Sequence, residues 1–435
     1  MAPLMGQAAR QRRRPVFALR RETRLLWCSA TNSQCHAGGV LLQLQNIQER
    51  MDVTNNRPAG FDYLRLCLSL FVAVWHIPQI AYGDAGLGFW YNNHIWEVSR
   101  FVLPMFFALS GFLVAGSLDR CLTLSAFLGL RVIRIFPALS VEVLLSALIL
   151  GPLVTTVPLS QYFSSGEFWR YLLNVTGEIH YTLPGVFKNA VAGNLVNAQL
   201  WTVPYELLCY IALSLLALVG ARNSRALFLL SALSMPFVLV AWGLTHHWGA
   251  QMYAGVGTGL GHGLGLVNCF VAGVMIFFFK KLLPWSIALF ILMFAISCAL
   301  LFTESPLSTF ASIPVAYCTV FLGLTNPKRI FVLASADYSY GIYLYHWPVF
   351  QFIGYNLGNS LVAIILIGLP LLVAFAAFSW HVIEKPALEF RKPIMRQDRV
   401  GGGFALTAST VFCAALLTFV VCWKLIERIG YSVFL

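Results

Sequence analysis

The stretch Asp62-Tyr-Leu-Arg65-Leu-Cys-Leu-Ser69-Leu-Phe-Val-Ala-Val-Trp75-His76-Ile-Pro78-Gln-Ile-Ala-Tyr82 decides how this chain is built. As a helix it is long enough to cross a bilayer, which takes about 20 mostly apolar residues. Yet it carries Arg65 and His76, eleven positions apart. At about 100° per residue, eleven steps return to within roughly 20° of the start and climb about 16 Å. The two side chains therefore share one face. Asp62 and Ser69 fall on the same arc, within about 60° of it, while Leu64, Leu68, Phe71, Val74 and Trp75 cover the rest. An arginine at mid-membrane costs about 2.5–3.5 kcal/mol on insertion scales, so the stripe faces a protein interior or a watery cavity and marks a functional site.

Composition sets the class. Of the 435 residues, 59% are apolar and 11% charged, and the mean hydropathy is +0.75. Soluble domains carry about 25% charged residues. The chain reads as all-α, a polytopic transmembrane helical bundle with its N-terminus on the cytoplasmic side. The net charge of +12 sits in short clusters between apolar spans rather than along one face, so it argues for membrane topology and against a nucleic-acid partner. Ten cysteines are scattered, with no C-x-x-C pair and no Cys/His spacing suited to zinc; no metal is expected.

Spans are predicted at roughly 62 to 82, 99 to 118, 139 to 157, 197 to 219, 226 to 246, 263 to 279, 284 to 303, 307 to 325, 338 to 356, 361 to 383 and 403 to 424. Alternate connections hold Arg120, Arg131 and Arg134; Arg222 and Arg225; Lys280 and Lys281; Lys328 and Arg329; and Lys385, Arg391, Lys392, Arg396 and Arg399. The opposite loops hold little beyond Lys188 and Arg170. This asymmetry is the positive-inside rule, and it orients the bundle. Residues 83 to 98 and 158 to 196 are the longest outer connections and suit a partly ordered cap. Glycines at alternate positions from Gly255 to Gly265 follow no strand and are not a dinucleotide fingerprint; a flexible loop and close helix packing are the two readings. Residues 1–57 form an Arg-rich N-terminal segment, read as a disordered tail or, with Met51 as an alternative start, a start-site artefact; a transit peptide is the third option. Residues 58–392 form the transmembrane domain, and 393–435 a basic loop with an extra C-terminal span.

Three more constellations place polar groups where lipid would penalise them. In Asn197-Ala-Gln199-Leu-Trp201-Thr202-Val-Pro204-Tyr205-Glu206, Gln199, Thr202 and Glu206 share a helical face and project inward from the outer side. Arg65, Arg100 and His76 are the available partners for the Glu206 carboxylate. In Asp337-Tyr-Ser339-Tyr340-Gly-Ile-Tyr343-Leu-Tyr345-His346-Trp347-Pro348, Ser339 and His346 share a face among four tyrosines; an aromatic belt with a core histidine is the plainer reading. In Arg131-Val-Ile-Arg134-Ile-Phe-Pro137, arginines three apart make an anion clamp, since guanidinium groups bind phosphate oxygens bidentately. Hydrolase, zinc-protease and Walker signatures are missing.

Together these blocks resemble the membrane-bound acyltransferase family 3, integral-membrane O-acyltransferases of surface glycans. The matching residues are Phe61-Asp62-Tyr-Leu-Arg65 with His76, Pro104-Met-Phe106-Phe107-Ala-Leu-Ser110-Gly111-Phe112-Leu113, Arg131 to Pro137, Leu200 to Glu206, Tyr340 to Pro348, and Ile383-Glu384-Lys385-Pro386. Six blocks in order span about 60 to 390. The resemblance implies a multi-pass protein, of the bacterial inner membrane in our reading, with no bound cofactor, acyl-CoA (acetyl-CoA above all) as cytoplasmic donor substrate, and a glycan hydroxyl as extracytoplasmic acceptor. It implies His76 as the catalytic group. Arg65 and Glu206 are read as its catalytic partners, Glu206 orienting or charging the imidazole, with an acyl-imidazole intermediate as a variant. Arg131 and Arg134, with Asp62, Ser69, Trp201, Tyr205, Tyr343 and His346, are read as substrate-binding. The rival class is a proton-coupled secondary transporter using the same Asp, Arg, His and Glu, against which no inverted repeat is visible. A non-catalytic scaffold for glycan assembly is a third reading.

Overall fold

The computed structural model describes residues 45–92, 95–218, 229–230, 233–238, 260–302, 306–330 and 336–400. Among these residues the architecture is all-helical, apart from one isolated bridge between Asn46 and Pro284. It opens with α1 (Ile47–Val53), whose capping box pairs the Asn46 side chain with the Glu49 backbone and the Glu49 carboxylate with the Asn46 backbone. Ile47 and Met51 are buried there and the Arg50 guanidinium lies 4.3 Å from the Trp285 ring centre. The segment expected to be disordered up to residue 57 is therefore packed from residue 45 onward; residues 1–44 lie outside the described ones.

The span expected at 62 to 82 is α2 (Gly60–Tyr82). It starts hard against the end of a later helix: the Gly60 N–H donates to the Thr325 carbonyl at 2.9 Å. It ends at Gly83, whose φ of +60° suits glycine. Residues 84 to 92, expected as loop, form α3 (Asp84–Asn92), and α4 follows (Ile95–Arg120). The third helix, α5 (Leu124–Val154), begins well before the expected residue 139 and is widened by a π-turn at Ser146–Leu150. A cap then forms from α6 (Leu159–Ser164), α7 (Gly166–Tyr171) and turns up to Asn197. Its polar pins are specific: Tyr162 donates to the Ala147 carbonyl at 2.7 Å, Trp347 to Leu195 at 3.1 Å and Gln351 to Gly193 at 2.9 Å.

The remaining helices are α8 (Ala198–Leu218), α9 (Leu260–Phe278), α10 (Ile287–Leu301), α11 (Leu307–Gly323), α12 (Ser339–Asn356) and α13 (Leu361–Arg399). Five of the described helices, α2, α4, α5, α8 and α13, are long and apolar enough to cross a membrane. The expected spans at 226 to 246 and 403 to 424 lie wholly or largely outside the described residues.

Close packing, rather than apolar burial alone, holds such a bundle together, because lipid tails are as apolar as leucine. One very close crossing joins α4 and α9. A Cβ at Gly111 would stand 2.0 Å from the Phe270 carbonyl oxygen, and one at Gly273 would stand 2.1 Å from that of Ala108. Only hydrogen fits at either position. The glycine run resolves partly the same way: Gly261, Gly263 and Gly265 belong to α9, and Gly263 rests against the Tyr205 ring. Leu70, Val74, Leu153 and Leu366 point outward from their helices, as lipid-facing positions should. By contrast α12 has thirteen of its eighteen residues buried, so it is a core helix, and its tyrosines are not a lipid-facing belt. It packs along α2, which brings His346 to His76.

Candidate active site

His76 stands in the last third of α2, its ring lying edge to edge with that of His346 at a centroid distance of 5.0 Å and 17° between planes. The Trp347 edge closes a third side at 5.1 Å. The two imidazoles are hydrogen-bonded, His76 Nδ1 to His346 Nε2, at 3.0 Å. Their tautomers follow from what surrounds them. His346 Nδ1 faces the carbonyl oxygens of Tyr343 at 2.8 Å and Ile342 at 3.3 Å, and a carbonyl only accepts, so the proton is on Nδ1. With both rings neutral, His346 Nε2 then offers a lone pair and His76 Nδ1 must donate to it. That leaves His76 Nε2 unprotonated, a base by geometry.

His76 lines a cavity of about 260 Å³ together with Trp75, Trp96, Arg100, Gln199, Trp201 and Tyr343 among others. The expected site residues Trp201 and Tyr343 are thus on the cavity wall. His346 is fully buried, does not line this cavity and contacts His76. Tyr343 donates its hydroxyl proton to the Gln199 carbonyl at 2.8 Å, and its oxygen lies 2.6 Å from Thr202 Oγ1. Having one proton only, the phenol accepts from Thr202. Beside the cavity Trp75 stacks on Trp90 at 5.2 Å and lies tilted against Trp96 at 5.8 Å.

Arg65 belongs to a different place. One end of the bundle carries a chain of ion pairs: Arg65 to Asp62 at 2.7 Å, Arg65 to Asp337 at 3.3 Å, Arg134 to Asp337 at 2.9 Å, Arg134 to Glu384 at 3.4 Å, and Arg329 to Asp62 at 3.0 Å. Three guanidinium groups meet three carboxylates, so the cluster is neutral. Burial works against charge on Asp337, yet Arg65 and Arg134 hold its carboxyl below the usual carboxylate range. Glu384, only 2% exposed, is turned inward by a π-turn at Ser379–Glu384 and accepts from Ser379 at 2.9 Å.

Several expectations change here. Arg131 and Arg134 are not one clamp: three residues of helix put them about 60° apart, and Arg134 is taken by two carboxylates while Arg131 donates to Ser117 Oγ at 3.2 Å and leaves its buried Nε without a partner. Glu206 is not the partner of His76. It accepts from the Tyr210 hydroxyl one turn along α8 and interacts electrostatically with Arg134 and Arg131. Ser69 is fully buried and donates to the Leu66 carbonyl at 2.9 Å, so it holds backbone and not substrate. Asp62 is an ion-pair partner of Arg65 and Arg329, and Tyr205 is a packing surface for Gly263. One polar group went unremarked in the sequence: Glu142, fully buried, accepts from Asn197 Nδ2 at 3.0 and 2.9 Å and from Ser146 at 2.9 Å, with Tyr171 donating to Asn197. It ties the cap to α5, and a lone acid inside an apolar span was the signal.

Comparison with known proteins bears on this arrangement. The acyltransferase domain of family 3 matches residues 59–383. Nodulation protein 10 of Rhizobium leguminosarum bv. viciae is 28% identical over 380 residues, covering 79% of this chain and 98% of the relative. An O-acetyl transferase of Shigella phage Sf6 is 24% identical over 368 residues, covering 78% and 98%. No solved structure matches. A match over most of the chain, embracing the histidine pair and the ion-pair cluster up to Asp337, shows that this integral multi-pass membrane protein belongs to acyltransferase family 3.

Proposed function

We propose that the chain moves an acyl group, acetyl in the first place, from acyl-CoA on the cytoplasmic side to a hydroxyl of an extracytoplasmic carbohydrate, such as a surface or secreted polysaccharide, at a bacterial inner membrane. The observation that carries this reading is the hydrogen bond from His76 Nδ1 to His346 Nε2, 3.0 Å long. A sugar hydroxyl is a poor nucleophile until its proton leaves, and a neutral imidazole is a suitable base, worth about 10²–10⁴-fold in rate.

In this mechanism His76 Nε2 takes the hydroxyl proton as the oxygen attacks the thioester carbonyl. The new C–O bond forms, the C–S bond breaks, and the proton passes from His76 to the departing thiolate of CoA. While His76 is an imidazolium its Nδ1–H stays on His346 Nε2, which holds the ring in register. His346 is thus a positioning residue. Arg131, which makes no ion pair with a carboxylate within 4 Å among the described residues, is the guanidinium read as taking phosphate oxygens of the donor, since Arg65 and Arg134 are engaged by carboxylates. The name of the phage relative, an O-acetyl transferase, supports acetyl as the group moved.

The test is His76→Ala in membrane vesicles supplied with labelled acetyl-CoA. Transfer of label to glycan should fall by about 10²–10⁴-fold at an unchanged level of folded protein. Retained transfer at that level would overturn the assignment. Mass analysis of surface glycans from cells with and without the protein identifies the acceptor.

A further inference from the structure

The wall of the His76 cavity holds a second group that the mechanism above does not use. Gln199 is 2% exposed and lies at the opening turn of α8. Its side-chain Nε2 donates to the Leu344 carbonyl at 2.5 Å. A carbonyl cannot donate, so the amide has one orientation and its Oε1 is an acceptor. That oxygen is buried and has no hydrogen-bond partner. Buried polar atoms of native proteins are nearly always paired, and an unpaired one on a cavity wall points to a ligand that brings the missing hydrogen.

The neighbours do not supply that hydrogen. The Tyr343 hydroxyl proton is spent on the Gln199 backbone carbonyl, and Thr202 pairs with Tyr343. Asn268 Oδ1 is also unpartnered, but Asn268 is not on the wall; its Nδ2 reaches Ser312 and Thr309, which are. The register between Gln199 and the base is fixed by one turn of α12. The carbonyls of Ile342 and Tyr343 hold His346, which holds His76, and the next carbonyl, Leu344, holds Gln199. His76 and Gln199 both line this cavity, beside Trp75, Trp96 and Trp201, and one scaffold sets them; the acceptors they hold are His76 Nε2 and the buried, unpartnered Gln199 Oε1.

We propose that Gln199 Oε1 accepts a hydrogen bond from a second hydroxyl of the sugar unit whose first hydroxyl His76 deprotonates, so that the cavity selects a polyhydroxyl ring over a lone alcohol. This rests on His76 as the acceptor-side base. A neutral hydrogen bond of this kind changes affinity by about tenfold, and the cavity, about 260 Å³ in volume, has room for about one ring.

The test uses two soluble probes of similar ring size: methyl β-D-xylopyranoside, with three hydroxyls, and tetrahydropyran-3-ol, with one. Binding to the detergent-purified full chain is followed by tryptophan fluorescence, and acetyl-CoA turnover is measured alongside. The wild type should bind the xyloside about tenfold more tightly than the mono-ol. Gln199→Met, which keeps the shape and removes the acceptor, should lose that preference and leave the KM for acetyl-CoA unchanged. Gln199→Leu is the second variant, and the wild-type comparison stands even if neither variant accumulates. Equal binding of both probes by the wild type overturns the proposal, as does a preference that survives in Gln199→Met. A raised KM for acetyl-CoA would also overturn it, by showing that the oxygen serves a pantetheine amide of the donor. Binding preference without any acetyl turnover would instead count against acyl transfer while leaving the sugar site standing, so the two failures are distinct.

Discussion

The two ends of α2 solve the same problem in opposite ways. At the Arg65 end, three guanidinium groups and three carboxylates compensate one another within a chain of contacts from 2.7 to 3.4 Å. At the His76 end the chemistry rests on two hydrogen-bonded imidazoles among tryptophans, their protons placed by backbone carbonyls of α12, with Arg100 on the same cavity wall. Taking charge out of water is costly unless each ion keeps its partner. One end is therefore committed to structure by its own electrostatics, and the other is left chemically open. Removing a residue from the first should cost stability; removing one from the second should cost rate.

The largest expected effect is at Arg134. Arg134→Ala leaves Asp337 and the buried Glu384 without their shared cation, and stranding a buried charge costs about 3–5 kcal/mol. Thermal unfolding in detergent should show a large drop, with partial recovery on adding Glu384→Gln. A variant as stable as the wild type would break the comparison. Asp337→Asn keeps the shape and removes one charge from between Arg65 and Arg134; a loss of about 1.5–3 kcal/mol is expected by the same measurement. At the other end, His346→Met should leave unfolding within about 1.5 kcal/mol while transfer drops by about 10–100-fold, within the range of one positioned proton-transfer group. His346→Gln, which restores an acceptor near the Nε2 position, should recover part of the rate, something a purely structural role would not give. The smallest effect is at Ser69, whose hydroxyl only back-bonds to Leu66: Ser69→Ala should change stability by no more than about 0.5 kcal/mol and leave transfer as it was.

How far the sequence carried this picture depends on the range of the interactions. Helix periodicity is local, so the shared face of Arg65 and His76 and most span positions were legible, as was the all-helical bundle. Which side chains meet was not, because the partners of both residues are distant in the chain. His76 and His346 are separated by 270 residues, and nothing in either segment encodes the other. Glu206 was matched to His76 by depth alone, but depth leaves the azimuth of α8 undefined, and the carboxylate turns along its own helix to Tyr210. Arg131 and Arg134 looked like one clamp because they are close in sequence; their angular offset sends one to α4 and the other to Asp337, just ahead of α12, and to α13. Glycine spacing was ambiguous for a related reason. Gly263 packs in a helix against Tyr205, and no run of glycines announces by itself whether it bends or packs. Glu142 was a readable signal, a single acid in an apolar span with Ser146 one turn on, though its other partner, Asn197, is 55 residues away.

The central claim is that His346 acts through His76 and in no other way. The direct measurement is a double-mutant cycle on labelled acetyl transfer, comparing His76→Ala, His346→Met and the two together at matched levels of folded protein. If His346 only orients the base, the double variant should be no slower than His76→Ala alone, since an absent ring cannot be misplaced. Losses that multiply, with the double variant slower than His76→Ala by the full factor seen for His346→Met, would contradict the account.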